Sequence, residues 1–289
     1  MDPVRTLLFV PGHRDRMIEK APGAGADGLL YDLEDSVPAA ERDTARRMLA
    51  DALSAPRPLP RYVRVNGIAD AGREETAADL DAVMLTDVDG IVLPKAQSVE
   101  DITWTAAEIE KRERSRGLAP GAFEIVPMIE SALGVQFAYD ILTASPRVSS
   151  VIVGSAQDGD LQTDLGADWS PEGTEILYAR SQILLAARAA GIDHPMDGVF
   201  LGLDDEPGLI RDSENARRLG YRGKTVIHPK QIDAVHRVFT PSEKEIAYYR
   251  DMVDAFEAAG ENAFDFRGKM IDRAMIRKAR TLLERVAAG

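Results

Sequence analysis

Apolar positions along the chain fall into two alternating kinds of segment. Short β-rich apolar runs are separated by longer stretches whose apolar residues recur with a period near 3.6, the helical spacing. Eight runs of the first kind occur: "LLFV" (7 to 10), "GLLYDLE" (28 to 34), "RYVRVN" (61 to 66), "GIVLPK" (90 to 95), "EIVPMIE" (124 to 130), "SSVIVGS" (149 to 155), "MDGVF" (196 to 200) and "KTVIHP" (224 to 229). Between them lie stretches of helical composition such as "ERDTARRMLADAL" and "EGTEILYARSQILLAARAAG", the second ending on a glycine where a helix C-cap belongs. Strand and helix in alternation predict parallel strands joined by crossover helices. A closed (β/α)8 barrel and a doubly wound open sheet both satisfy that pattern. The count of eight, and the lack of a G-x-G-x-x-G turn after any strand, favour the TIM barrel.

After about residue 240 the pattern changes. "TPSEKEIAYYRDMVDAFEAAG" and "GKMIDRAMIRKARTLLERVAAG" read as helices, and the Ser242 to Glu245 spacing as a capping-box start. "ENAFDFRG" between them reads as a loop. The expected division is therefore a barrel over 1–240 and a helical C-terminal extension over 241–289, packed on the barrel or on a neighbouring subunit.

Composition narrows the function classes. The 35 basic and 48 acidic residues leave a formal charge of −13, which argues against a nucleic-acid partner. The chain has no cysteine, so disulfides, thiolate metal sites and a cysteine nucleophile are excluded. No apolar run is long enough to span a bilayer, and "MDPVRTLLFV" lacks the apolar core and cleavage site of a secretory signal. A soluble cytoplasmic protein is expected.

In a barrel enzyme the active site forms at the C-terminal ends of the strands. Those ends are strongly polar here: Gly12 and His13, then Asp32, Glu34 and Asp35, then Arg64 and Asn66, Lys95, Glu130, Asp158 and Asp160, Asp197, and His228. Any one acid there reads equally as a solvated loop residue or, for Asp160, as the N-cap of a helix over "LQTDLG". Glu130 differs, because it ends the uncharged run "IVPMI" and needs a cation or donors. An aspartate one strand later, about 4.8 Å away across parallel strands, brings a second carboxylate to the same point. Two carboxylates without cysteines or paired histidines suit a hard cation completed by water and substrate oxygens, the habit of Mg2+. Arg64 can hold a substrate carboxylate bidentately, or serve as a structural partner of Asp32 or Glu34.

"RTLLFVPGHRDRMIEKAPGAGADGLLYDLEDSVP", "RVN", "GIVLPKAQSVEDI", "MIESALGV", "DLQTDLG" and "GYRGKTVIHPKQI", in that order across residues 5 to 242, resemble the HpcH/HpaI aldolase and citrate lyase β-subunit family, in its CitE-like branch. The resemblance implies a (β/α)8 barrel, Mg2+ and cleavage or formation of a carbon–carbon bond next to a carboxylate. One reactant is a 2-oxo or hydroxy acid, often as a coenzyme A thioester of the citryl, malyl or citramalyl type. It places Glu130 on the metal-binding glutamate and Arg64 on the substrate-carboxylate arginine. The family's G-x-E-D-L turn after the sixth strand reads "GSAQDGDLQTDLG" here, two residues longer, so the second metal ligand is Asp160 or Asp158, with Asp160 keeping the downstream register. His13 stands where the family more often has a small polar residue. Asp32, Glu34, Asp35 and Lys95 are expected to line the substrate site and orient the ligands. The general base is a metal-bound water, a rim carboxylate or a group from a neighbour's extension. Basic residues for a coenzyme A phosphate are sought in Arg14, Arg16 and Lys20. A homo-oligomer, trimeric by the family's habit, is expected. A malate-synthase-like or thioesterase activity and a non-catalytic ligand-binding subunit are the alternatives.

Overall fold

The computed structural model describes residues 4–56, 59–85, 87–260 and 262–288. Residues 1–3 of the supposed signal-free start, and Glu261 of the expected loop, lie outside the described residues. The first half of the chain runs β1 (Thr6–Pro11), α1 (Asp15–Lys20), β2 (Gly28–Asp32), α2 (Arg42–Leu53), β3 (Arg61–Arg64), α3 (Ile68–Val83), β4 (Gly90–Leu93), α4 (Val99–Arg116) and β5 (Glu124–Ile129). It continues α5 (Ala132–Gln136), α6 (Ala138–Thr143), β6 (Ile152–Val153), α7 (Asp160–Leu165), α8 (Leu177–Ala189), β7 (Met196–Asp197), α9 (Glu206–Leu219), β8 (Gly223–Val226) and α10 (Ile232–Phe239). After these come α11 (Glu243–Ala258), β9 (Phe264–Phe266), β10 (Lys269–Ile271) and α12 (Arg273–Ala288).

β1 to β8 close into an all-parallel barrel in chain order, as the eight-run pattern predicts. Every strand is covered on both sides, which is why the runs are apolar throughout rather than alternating. Alternate residues nevertheless have different fates. Leu7, Leu30, Tyr62, Val92, Val126, Met128, Ile152 and Met196 fill the barrel interior. Their neighbours, such as Leu29, Val63, Ile91, Ile125, Val153 and Val226, pack against the helices. With a period of two, the residues that follow the interior layer on the inward face are Asp32 after Leu30, Arg64 after Tyr62 and Glu130 after Met128. The interior is thus oily below and charged at its C-terminal end.

β6 and β7 are only two residues long, shorter than the apolar runs that announced them. Each stops at a glycine where backbones crowd: a Cβ at Gly198 would lie 2.4 Å from the Val153 carbonyl oxygen. The expected C-cap glycine of α8 is Gly191, in the left-handed conformation at φ 81° one residue beyond the cap.

The chain divides into two compact units, 1–239 and 240–289. In the second, Ser242 caps α11 by accepting from the Glu245 amide at 3.2 Å. The stretch read as a loop is instead the first strand of a hairpin, β9 pairing antiparallel with β10. The signal was Arg267-Gly268 between "FDF" and "KMI": both take positive φ, 53° and 79°, as a two-residue hairpin turn of the I′ type requires. Phe256, Phe264, Phe266, Ile271 and Ile276 form the core of this unit.

Asp197, expected on the catalytic rim, faces the other way. It is fully buried in the barrel wall, where Lys224 Nζ lies 2.6 Å and Arg180 Nη2 2.8 Å from its carboxylate. Asp212 from α9 completes this four-membered network by pairing with both cations. Removing one partner of such a group leaves charge without compensation. Lys224→Met is expected to destabilise the protein by about 3 kcal/mol or more, measured by urea denaturation followed by circular dichroism; a change within experimental error would show that the network contributes no stability.

Candidate active site

A cavity of about 430 Å3 opens at the C-terminal ends of the strands. Its wall brings together Asp32, Asp35, Arg64, Glu130 and Asp160 with Phe9, Met128 and Ile152. β2 and β3 pair so that Asp32 and Arg64 are register partners. Arg64 Nε and Nη2 donate to the two Asp32 oxygens at 2.7 and 2.8 Å, a buried bidentate pair. Asp32 also accepts from the amides of Glu34 (3.0 Å) and Ser36 (3.1 Å), so it shapes the loop that follows its own strand. Burial opposes its charge, but Arg64 and these donors hold the Asp32 carboxyl below the usual range.

The third guanidinium nitrogen, Nη1, lies 2.8 Å from Glu34 Oε2 and 3.2 Å from Asp35 Oδ2. The structural partnership considered for Arg64 is therefore present, while its guanidinium still forms part of the cavity wall. Glu34 is buried behind that wall, and neither of its oxygens accepts a well-directed hydrogen bond. Burial, opposed by Arg64 and reinforced by Asp35, Glu130 and Asp32, pushes its carboxyl up to about 8. Asp35 is more than half exposed at the mouth.

Glu130 lies one residue past β5 and is 7% exposed. Register explains its seat: Met128 pairs with Ile152, which places Gly154 beside Glu130. A Cβ on Gly154 would lie 2.3 Å from the Glu130 Cβ and 2.9 Å from Oε2, so only glycine leaves room for this carboxylate. Glu130 Oε1 accepts from the Lys95 amide at 2.9 Å. Burial raises its carboxyl to about 7, with Arg64 opposing and Asp160 and Asp35 adding to the rise. Lys95 takes the left-handed conformation at φ 50°. Its ammonium, held by Asp70, lies 3.5 Å from Asp160 and 3.6 Å from Glu34. These carboxylates raise its pKa against the lowering effect of burial.

The doubled possibility after β6 separates in space. Asp160 is on the cavity wall as the first residue of α7, and Gly159, not Asp160, is the N-cap. Asp158 is exposed, at φ 53°, and lies outside the wall; its amide donates to Gln162. His228 caps a short 3-10 turn by accepting from the Lys230 amide. Asn66 ties the barrel to α3 through Asp79. Both ring nitrogens of His13 are buried without a hydrogen-bond partner. Gly12 is needed where it stands, since a Cβ there would meet the Asp32 carbonyl oxygen at 2.7 Å.

The donor set fits a hard divalent cation. Glu130 and Asp160 supply carboxylate oxygens at one wall, and no group of three or more His, Asp and Glu among the described residues forms a complete cage. Such a cation would keep positions for water and substrate, as Mg2+ does. Phe9, Met128, Ile152 and Ser36 also line the cavity, and carrying no ionisable group they give no signal in the polar strand-end pattern. Period-two counting back from Glu130 would have found Met128.

The family profile described as HpcH/HpaI aldolase/citrate lyase matches residues 5–229. The chain belongs to this family. Citrate lyase subunit beta of Escherichia coli K12 is 38% identical over 97% of this chain and 92% of its own length. The (3S)-malyl-CoA thioesterase of Cereibacter sphaeroides is 35% identical over 99% and 95%. Among solved structures, CitE of Mycobacterium tuberculosis, in complex with magnesium, acetoacetate and coenzyme A, superposes with a TM-score of 0.81 at 28% identity, covering 99% of both chains. The family profile thus spans nearly all of the barrel, and the CitE structure matches almost the whole chain.

The raised carboxyls give a signed pH effect. Folded Glu34 keeps its proton to about 8, while an unfolded glutamate releases it near 4.3. Its contribution is present at low pH and lost as pH rises through that window. In EDTA, the wild type is expected to lose stability between pH 5 and 9 by a few kcal/mol more than Glu34→Gln, measured by urea titration at each pH; parallel curves would refute it.

Proposed function

We propose that the chain is a Mg2+-dependent carbon–carbon lyase of the aldol or Claisen type, acting between a 2-oxo acid and an acyl group carried as a coenzyme A thioester. The observation that carries this reading is Glu130, buried in a seat that only Gly154 permits, facing Asp160 and Arg64 at the C-terminal end of the barrel. The citrate lyase name of the Escherichia coli relative and the magnesium in the tuberculosis structure support it, while the thioesterase name of the Cereibacter relative favours the alternative of thioester hydrolysis.

Glu130 and Asp160 would hold the cation, which when bound supplies Lewis-acid polarisation of the oxygen at the bond that breaks. Arg64 holds Asp32 with Nε and Nη2 and forms part of the cavity wall, where a substrate carboxylate can replace the exposed Asp35 at Nη1. Lys95 fixes both proposed ligands, Glu130 through its amide and Asp160 through its ammonium. Glu34 stores a proton next to Arg64. The apolar wall excludes water from the opposite side. Arg14, Arg16 and Lys20 are exposed on α1, just past the β1 end of the rim, and suit a coenzyme A phosphate.

We infer self-association, trimeric by the family's habit, from exposed apolar side chains on neighbouring helices: Phe137 and Tyr139 near α6, Tyr178 and Leu185 on α8. No helix among the described residues is long and apolar enough to cross a membrane. The cytoplasm fits that and the absence of cysteine, and the charge of −13 keeps nucleic acid away.

With citryl-, malyl- and citramalyl-CoA each offered as substrate, cleavage of at least one of them is expected with Mg2+ and not with EDTA. Glu130→Ala and Asp160→Ala should each lose at least about 100-fold in activity and in Mn2+ affinity by electron paramagnetic resonance titration, while Asp158→Ala stays close to wild type. Metal-dependent activity surviving in Glu130→Ala would sink the mechanism. Light scattering should give a mass of about three chains; a monomer would contradict the inferred assembly.

A further inference from the structure

The lyase reading leaves the substituent on the reacting carbon undecided, and the cavity floor bears on it. In a 3-hydroxy-3-carboxyacyl thioester that carbon carries four groups: a hydroxyl, a carboxylate, the methylene leading to the thioester, and a variable group. The hydroxyl and carboxylate are drawn to the Glu130/Asp160 side and to Arg64. The thioester arm must leave by the mouth, between half-exposed Asp35 and Asp160, because coenzyme A is too large for a cavity of about 430 Å3. The variable group is left facing the floor.

That floor is apolar. Met128 lies two residues below Glu130 on the same face of β5, Ile152 is its partner on β6, and the Phe9 ring lies 4.9 Å under the Arg64 guanidinium. Met128 and Ile152 belong to the barrel-interior cluster, with Phe9 packed against it, and Val199 and Ile227 continue the wall. Of the described lining residues Arg64 is the one cation, against Asp32, Asp35, Glu130 and Asp160. The Lys95 ammonium is outside the lining and already engaged by Asp70, Glu34 and Asp160. Two of the hydroxyls in the wall, Ser155 and Thr225, donate to Asp197. The third, Ser36, has a buried Oγ without a partner beside the Asp32 carboxylate that its own amide meets, and it carries no charge. A second substrate carboxylate would therefore be desolvated on carbon and sulfur, without a cation, in a cavity already rich in negative charge.

We propose, resting on the lyase reading, that this enzyme selects substrates whose reacting carbon bears a small alkyl group, so that the 2-oxo acid partner is a monocarboxylate such as pyruvate, and rejects a carboxymethyl group, which would make it oxaloacetate. The step is balanced without a co-reactant. The bond between the methylene and the hydroxyl-bearing carbon breaks and its electron pair stays on the methylene carbon. The hydroxyl proton is lost, one proton returns to that carbon, and an acetyl thioester leaves with the 2-oxo acid.

The test compares three thioesters, with hydrogen, methyl or carboxymethyl as the variable group, on the full chain with Mg2+, and measures binding of glyoxylate, pyruvate and fresh oxaloacetate by calorimetry. Methyl should exceed hydrogen in kcat/KM by roughly tenfold, the lower range for one methyl group in an apolar pocket. It should exceed carboxymethyl by at least about 100-fold, and pyruvate should bind more tightly than oxaloacetate. Met128→Lys, checked for folding by circular dichroism, should bring the carboxymethyl ratio back by tenfold or more. Equal or better cleavage of the carboxymethyl substrate by the wild type would overturn the selection and leave the lyase standing. No cleavage at all, with pyruvate still preferred in binding, would overturn the lyase and leave the pocket's preference; no cleavage and no preference would overturn both.

Discussion

The Asp32–Arg64 pair is the constraint on which the site depends. Neighbouring strands bring the two residues into register, and their inward parity sets both at the charged end of the barrel interior. A buried ion pair is weak evidence for stability, since desolvating two charges offsets much of their attraction. Its effect here is positional. Asp32 binds Arg64 on one edge and the amides of Glu34 and Ser36 with the same two oxygens, so strand, loop and guanidinium form one unit. Arg64 in turn is the positive charge around which Glu34, Asp35 and Glu130 are tolerated.

That tolerance is incomplete, and the incompleteness is informative. Asp32 has its full set of donors and stays ionised, whereas Glu34 and Glu130 are buried with too few and rise to about 8 and about 7. Asp197, which also sits in the barrel, shows the alternative: a buried carboxylate meant only to hold the fold is given Lys224 and Arg180 outright. Carboxylates left short of positive charge at a cavity wall, in a protein able to build a saturated network elsewhere in the same barrel, mark a place where a cation is expected.

Much of this was legible from residues. Eight apolar runs, their order and the changed pattern after residue 240 favoured a barrel over an open sheet and showed an appended unit, because strands buried on both faces leave a strong signal. The hairpin β9/β10 was hidden, since three-residue strands carry little periodicity and only Arg267-Gly268 betrays the turn. At the site, Glu130 stood out because an uncharged run ends on it. Asp197 misled because proximity to a strand end says nothing about which face a side chain takes; counting in twos from Met196, an interior residue, would have turned it outward. Between Asp158 and Asp160 the register of "DLQTDLG" already favoured Asp160, and the path of the two extra residues puts that side chain, not Asp158, on the cavity wall.

The same parity argument separates chemistry from selectivity in this barrel. The charged residues proposed to bind and polarise occupy the uppermost inward layer, at Asp32, Arg64 and Glu130, and are tied to each other or to loop amides. The layer below, Met128, Ile152 and Phe9, contacts the cavity through carbon and sulfur and engages none of those hydrogen bonds. Volume and polarity there can vary while the charged layer keeps its geometry. The uncharged floor of this chain is the physical reason for the proposed uncharged group upon it.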